Sequence, residues 1–171
     1  MVRRLASPLV FVATLAAAIA ASGPAGADDP DFLAFSIGGF DVSDDETAGE
    51  ARLEYRSDIK LWFVKPFSGV MVNSDAGIYG YGGFLVDLFF GRRWVLTPSL
   101  AAGLYTDGSG KDLGSDVEFR SQLEFAYRFK SRSRIGLSVS HISNASLDDV
   151  NPGTEEVVLT YAVPFSVLLG R

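Results

Sequence analysis

Hydrophobic and polar residues alternate along much of this chain, and the alternation is clearest between Asp116 and Phe129. One parity there is apolar apart from Ser121, and the other parity carries most of the charged residues. Because successive side chains of a β-strand point to opposite faces, the segment predicts a strand with one apolar and one charged face. It alternates for about 14 residues, whereas strands of globular proteins are commonly about 5–6 residues long.

Eight segments of this kind can be placed along the chain. They cover residues 32–41, 50–57, 60–72, 77–90, 94–105, 116–129, 134–144 and 154–167. The connections alternate between short, mostly basic turns and longer, mostly acidic loops. An even number of strands, with short turns at one end and longer loops at the other, is typical of bacterial outer-membrane barrels. We therefore predict an all-β fold, an eight-stranded antiparallel transmembrane β-barrel of the outer-membrane type. A soluble periplasmic β-protein is the alternative.

The charged parity of residues 116–129 would face the interior of such a barrel. Eight strands enclose a narrow space that side chains fill. We therefore predict an interior network of ion pairs, formed by Glu118, Arg120, Glu124 and Arg128.

The first 27 residues have the pattern of a secretory signal peptide. Arg3 and Arg4 precede an apolar run between Leu9 and Ala21, and residues 25–27 (Ala-Gly-Ala) fit a cleavage site. We expect residues 1–27 to be removed on export and residues 28–171 to form one outer-membrane domain. A membrane anchor is the alternative, but the apolar run is short for a helical span of about 20 residues.

Composition excludes several classes of protein. The chain has 15 basic and 21 acidic residues, a formal net charge of −6, so we expect no nucleic-acid partner, because phosphate binding needs a basic surface. It has no cysteine, which excludes disulfides and thiolate metal sites. After residue 27, no stretch reaches the roughly 18 consecutive apolar residues that indicate a transmembrane helix. No cofactor or metal motif is present.

The candidate chemistry lies near the last two predicted strands. His141 is the only histidine, and Ser143 follows two positions later, on the same face of a strand. A carboxylate on the adjacent antiparallel strand could bond the second ring nitrogen, which gives the nucleophile, base and orienting acid of acyl transfer. Glu155 and Glu156 compete for the third role, and Glu155 has the parity of the apolar outward face. Three polar groups facing lipid are costly, which suggests a substrate that is itself a lipid of the outer leaflet.

Residues 139–165 resemble the PagL-type lipid A 3-O-deacylase family, also called acyloxyacyl hydrolases. The family pattern is His-x-Ser-Asn-Ala, a short loop with an Asn, and a Glu fourteen residues after the His. The matching residues are His141, Ser143, Asn144, Ala145, Asn151 and Glu155. The resemblance implies an active site on the outer surface of an eight-stranded barrel, with Ser143 as nucleophile, His141 as general base and Glu155 as its orienting acid.

The resemblance also suggests how an oxyanion would be held. The candidates are the side chain of Asn151 and the backbone N–H of Ser146, with Asn144 as a positioning residue. Asn151 also begins a good turn sequence, Asn-Pro-Gly, so a structural role stays open. The chain departs from the family in having Ser146 where glycine is usual, and in continuing six residues past Phe165.

The expected function is removal of the ester-linked 3-hydroxyacyl chain from the 3-position of lipid A, within lipopolysaccharide, without a cofactor. The alternative is a non-catalytic small outer-membrane barrel with a structural or adhesive role, which would not explain the outward polar set. Acyl-chain preference and oligomeric state stay open, a homodimer included.

Overall fold

The computed structural model describes residues 29–44 and 47–170. The expected signal peptide, residues 1–27, lies outside these residues. The described chain forms antiparallel strands and one short helix. They are β1 (Phe32–Phe40), β2 (Ala48–Arg56), β3 (Lys65–Asn73), β4 (Ile78–Leu85), β5 (Leu88–Phe90), β6 (Trp94–Thr106), β7 (Val117–Arg128), β8 (Arg134–Ser143), β9 (Thr154–Pro164) and α1 (Phe165–Leu168).

The strands close into a barrel. Apart from β4 and β5, consecutive strands pair antiparallel, and β9 pairs with β1. Both β4 and β5 pair with β6, so together they fill one position in the wall, and the described strands make an eight-stranded antiparallel barrel. The predicted fold class is therefore confirmed. Residues 41–44 and 47, 74–77, 107–116 and 144–153 lie at one end of the barrel, called here the loop end, which has the two longest connections of the described chain. The connection 57–64 at the opposite end has eight residues, so it is longer than the predicted short turn.

Three of the predicted strands differ in extent from the observed ones. Residues 60–64 belong to a turn, not to β3, and an isolated bridge between Leu61 and Val64 closes it. Trp62 adopts a left-handed φ of 65° there, which an apolar sequence does not indicate. The predicted strand 77–90 breaks at Val86 and Asp87, because the Asp87 carboxylate turns inward to Arg134, 2.8 Å away.

The predicted last strand, 154–167, instead ends at Pro164 and is followed by helix α1, which has no buried residue. Within residues 29–44 and 47–170, no helix is long and apolar enough to cross a membrane.

Charged side chains share the interior with a cluster of buried aromatic and aliphatic side chains, and apolar side chains cover the outside. Along β7 the exposed residues are Val117, Phe119, Ser121, Leu123 and Phe125, and the buried residues between them are Glu118, Arg120, Gln122 and Glu124. Arg120 lies 2.7 Å from Glu54 and Arg56 lies 2.8 Å from Glu124, and Arg128 pairs with Asp29. The predicted interior network is therefore present in part: Arg120, Glu124 and Arg128 form ion pairs, each with a residue of another segment. Glu118 differs, because its carboxylate has no hydrogen-bond partner within the described part of the chain.

Glu54 connects this network, and we expect its loss to destabilise the barrel. Its carboxylate accepts hydrogen bonds from Arg56, Tyr81 and Arg120. Glu54→Gln should lower the free energy of unfolding by about 3 kcal/mol, since removing one partner leaves buried arginine charge uncompensated. The measurement is urea unfolding in lipid vesicles, followed by tryptophan fluorescence.

Glu118→Gln is the matched control, because Glu118 is equally buried but has no hydrogen-bond partner among the described residues. It should leave the free energy of unfolding unchanged or raise it. Equal losses in the two variants would contradict a specific role for the Glu54 ion pairs.

Candidate active site

The hairpin of β8 and β9 brings His141 and Glu155 together on the outer wall. They are direct partners in the antiparallel register, and His141 Nδ1 lies 3.1 Å from Glu155 Oε1. Both side chains are about half exposed, at 48% and 49%, while their neighbours Ile142 and Glu156 are buried. Parity therefore selects Glu155 over Glu156, because Glu156 points into the barrel and pairs with Arg52.

Ser143 is the last residue of β8, and it lies on the same outward parity as His141. Its hydroxyl makes no hydrogen bond to the imidazole within the described residues. The contact between Nδ1 and Glu155 leaves Nε2 as the nitrogen available to a serine. Hydrogen bonds between a nucleophile and its base are often long until substrate is bound. The nearness of Ser143 to His141 is therefore inferred from their spacing on one face of β8, not from a formed hydrogen bond.

A second serine lies beside the imidazole. Ser121 on β7 faces outward and is the direct cross-strand partner of His141. Side chains at such positions have Cβ atoms about 4.5–5.5 Å apart. The sequence marked Ser121 only as a break in an apolar parity, and the register of β7 and β8 is what brings it to His141.

Asn144 holds the loop that follows Ser143. It is fully buried, and its amide donates hydrogen bonds to the backbone oxygens of Val150, at 2.8 Å, and Leu113, at 3.2 Å. Its backbone N–H donates to Asn151 Oδ1 at 3.1 Å. Asn144 therefore fixes the strand end, and Asn151 is oriented through its oxygen, which leaves the Asn151 amide nitrogen as a donor.

The backbone N–H of Ser146, predicted as an oxyanion donor, has a hydrogen-bond partner within its own loop. This N–H donates to Asn144 Oδ1 at 2.9 Å, so it is already engaged within the loop. Ala145 and Ser146 both have left-handed φ values, 54° and 63°. Glycine adopts this region without cost, which gives a physical reason for the glycine that the family usually has at this position.

Gly153 packs directly against the imidazole. A Cβ added there would lie 2.9 Å from His141 Cε1 and 3.5 Å from Nε2, and the φ of Gly153 is 65°. Glycine is therefore favoured here both by the backbone conformation and by the close approach of the ring. The sequence indicated only a turn.

Residues of the loop between β1 and β2 also reach this site, which the sequence did not indicate. Ser43 Oγ donates to Glu155 Oε2, and the Val42 N–H donates to the backbone oxygen of Glu155 at 3.0 Å. The pairing of the first and last strands of a closed barrel could have indicated this proximity. Within residues 29–44 and 47–170, no group of three or more His, Asp or Glu is placed to hold a metal ion.

Comparisons with known proteins identify the family of this chain. The sequence profile of the family described as lipid A 3-O-deacylase (PagL) matches residues 49–164. Lipid A deacylase PagL of Bordetella bronchiseptica is 32% identical over 77 residues, which are 44% of this chain and 43% of that protein. The match therefore spans less than half of that relative.

Two solved structures share the fold. The crystal structure of the outer membrane enzyme PagL has a TM-score of 0.60 at 18% identity, covering 78% of this chain and 99% of that one. A de novo designed transmembrane β-barrel has a TM-score of 0.53 at 9% identity, covering 79% and 98%. At these identities the likeness concerns the fold alone. The family profile, however, covers more than half of the chain and confirms the resemblance found in the sequence. This chain belongs to the lipid A 3-O-deacylase (PagL) family.

Proposed function

We propose that this protein is an outer-membrane serine esterase that removes the ester-linked 3-hydroxyacyl chain from the 3-position of lipid A. The observation that carries the proposal is the His141–Glu155 pair, which lies on the apolar outer wall beside Ser143. Ionisable groups facing hydrocarbon are costly and usually functional. A lipid substrate gives them a function there, because its ester can reach the wall from within the leaflet.

The site lies at the loop end of the barrel. In bacterial outer-membrane barrels the longer loops face the outside of the cell and the short turns face the periplasm. With this orientation, the triad would stand at the level of the outer leaflet, where lipopolysaccharide resides. The signal peptide expected in residues 1–27 would direct the chain to this membrane.

The chemistry would follow the serine hydrolase scheme. Ser143 Oγ attacks the ester carbonyl while His141 Nε2 takes its proton, and Glu155 accepts the hydrogen bond from Nδ1–H. The tetrahedral intermediate collapses, the 3-oxygen of lipid A leaves with the proton from Nε2, and the acyl group stays on Ser143. Water, deprotonated by His141, then releases the 3-hydroxy fatty acid and restores the serine.

The developing oxyanion needs a fixed donor, and the amide nitrogen of Asn151 is the candidate. A single such donor contributes about 2.7–4 kcal/mol to the transition state. The Ser146 N–H could add a second donor only after releasing Asn144 Oδ1.

Mass spectrometry of lipid A tests the proposed function directly. Purified protein, refolded in detergent, is incubated with lipid A that carries a 3-hydroxyacyl chain at the 3-position. We expect the loss of one 3-hydroxyacyl chain and the appearance of the free hydroxy acid. Unchanged lipid A under conditions in which the barrel is folded would reject the esterase and leave a non-catalytic barrel.

Gly153→Ala should lower this activity by about 10²-fold, since displacing a catalytic group by about 1 Å can have an effect of this size. The reason is the 2.9 Å approach of a new Cβ to the imidazole of His141. The initial rate of hydroxy acid release measures the effect.

The control is Gly91→Ala in a turn at the opposite end. Gly91 has nearly the same φ, 67°, but no atom of the described part of the chain lies within 4 Å of an added Cβ. Gly91→Ala therefore introduces the backbone strain without the clash, and it should keep nearly full activity. A similar fall in both variants would attribute the effect to strain instead of displacement of the ring.

A further inference from the structure

We propose that Ser43 is a positioning residue of this site, which holds the Glu155 carboxylate on the side away from His141. The inference rests on the proposed function and extends the arrangement from three side chains to four. Ser43 is 112 positions from Glu155 in the sequence and belongs to the loop between β1 and β2.

The two oxygens of Glu155 have different partners. Oε1 faces His141 Nδ1 at 3.1 Å, and Oε2 accepts the hydroxyl of Ser43. A carboxylate held at both oxygens cannot rotate about its terminal bond without losing a charge-assisted hydrogen bond. Ser43 therefore fixes the plane of the carboxylate, and this plane sets the direction in which Nδ1–H of the imidazole points.

The backbone of the same loop is fastened to β9. The Val42 N–H donates to the backbone oxygen of Glu155 at 3.0 Å, one step beyond the last β1–β9 pair, Phe40 with Glu156. Ser43 therefore directly follows Val42, the residue whose N–H is bonded to the backbone of Glu155. Its hydroxyl reaches the carboxylate from a fixed position, although its side chain is exposed.

A buried aspartate ties this loop to two other segments. Asp41 is 2% exposed, and its Oδ1 accepts hydrogen bonds from Thr154 Oγ1 at 3.0 Å and from Lys111 Nζ at 2.6 Å. Lys111 also contacts Asp44 at 2.5 Å. Partial burial alone would lower the pKa of the Lys111 amine, but the hydrogen bonds to both aspartates outweigh it and raise the pKa, so the amine stays charged. The residues on both sides of Ser43 are therefore anchored.

Three variants distinguish the effect of the Ser43 hydroxyl from a general effect of changing a residue in a loop. Ser43→Ala removes the hydrogen bond, and Ser43→Thr keeps a hydroxyl. Ser109→Ala removes another exposed serine at the loop end, whose hydroxyl donates to the backbone oxygen of Asp75. We expect Ser43→Ala to lower kcat on lipid A about tenfold with KM nearly unchanged. Ser43→Thr and Ser109→Ala should stay within about threefold of the wild type. Heat-dependent mobility in gel electrophoresis checks that each barrel has formed.

A second readout does not depend on activity. His141 is the only histidine, so a protein made without a histidine tag gives a single set of imidazole ¹⁵N signals. At a pH at which the ring is neutral, these signals report which nitrogen carries the hydrogen. We expect the Nδ1–H tautomer in the wild type and in Ser43→Thr, and a mixture of both tautomers in Ser43→Ala.

Together, kcat and the tautomer of His141 test the positioning role of Ser43 and the proposed function separately. Wild-type kcat and tautomer in Ser43→Ala would overturn the inference, and so would a Ser43→Thr variant that falls as far as Ser43→Ala. If the wild type does not deacylate lipid A, the proposed function fails, but the tautomer measurement still decides whether Ser43 positions the carboxylate.

Discussion

Ser143→Ala should reduce the deacylation of lipid A by about 10⁴-fold or more, the size of effect found when a serine hydrolase loses its nucleophile. Ser121→Ala should keep most of the activity. The comparison distinguishes the two candidate nucleophiles, because both serines are outward-facing neighbours of His141. Ser143 follows it along β8, and Ser121 lies opposite it on β7.

The surroundings of the two hydroxyls favour Ser143. It ends β8, and the next residues form the loop in which Asn151 is oriented by the Asn144 N–H. An oxyanion formed at Ser143 can therefore meet a donor outside the sheet. Ser121 lies within β7, between strands β6 and β8, where the backbone N–H groups belong to the ladders on either side. An oxyanion at Ser121 would find no fixed donor, and oxyanion stabilisation is usually the largest single contribution in such sites.

The measurement is the rate of 3-hydroxy acid release from lipid A micelles by each variant. Both serines are small, and neither side chain makes a hydrogen bond within the described residues, so the folded fraction should match the wild type. The opposite result, with an active Ser143→Ala and an inactive Ser121→Ala, would move the nucleophile to β7. If both variants kept the activity of the wild type, neither serine would be the nucleophile.

The pairing of His141 with Glu155 could be predicted from sequence because it needs only local rules. A strand's two-residue period fixes which side chains share a face, and a hairpin loop of known length fixes which residues lie opposite each other. The loop between β8 and β9 is 144–153, so Glu155 must face His141 or its neighbour. Parity then chooses between two adjacent glutamates, and the buried Glu156 bears this out.

The contribution of Ser43 could not be predicted in the same way. Its position beside Glu155 depends on the closing pair of the barrel, β1 with β9, whose residues are more than a hundred positions apart. The number of strands indicates that closure occurs, but the register of that last pair depends on every bulge and break around the ring. The break at Asp87, which the sequence did not reveal, is one such uncertainty.

The role of Ser146 shows a different limit. Family resemblance places a backbone donor at this position, but a backbone N–H points where the loop's φ and ψ direct it. Two consecutive left-handed residues, Ala145 and Ser146, turn this N–H towards the buried oxygen of Asn144. The residues that flank Ser146 do not reveal where its N–H points, because this direction depends on the φ and ψ of the loop. Serine and glycine differ most in the cost of adopting a positive φ.

Glu155→Gln should lower kcat by about 10³- to 10⁴-fold, because an amide in place of the orienting carboxylate of a triad stabilises the wrong imidazole tautomer. The Ser43 hydroxyl donates to one oxygen of Glu155, so the amide oxygen of the variant is drawn to Ser43 and its NH₂ group faces Nδ1. Nδ1 must then accept a hydrogen bond, and the hydrogen moves to Nε2. An imidazole with Nε2–H cannot take the proton from Ser143.

Glu156→Gln is the matched control, since it makes the same chemical change one residue later on the opposite face. Glu156 is buried and bonds Arg52 and Ser140, both at 2.6 Å, so the variant should lose stability in urea but keep kcat within about threefold of the wild type. Glu155 is half exposed, and its variant should unfold as the wild type does. We therefore expect Glu155→Gln to lower kcat without changing stability, and Glu156→Gln to lower stability without a large change in kcat. If Glu155→Gln lost stability and kept kcat, the outward carboxylate would be a structural group and His141 would need another partner.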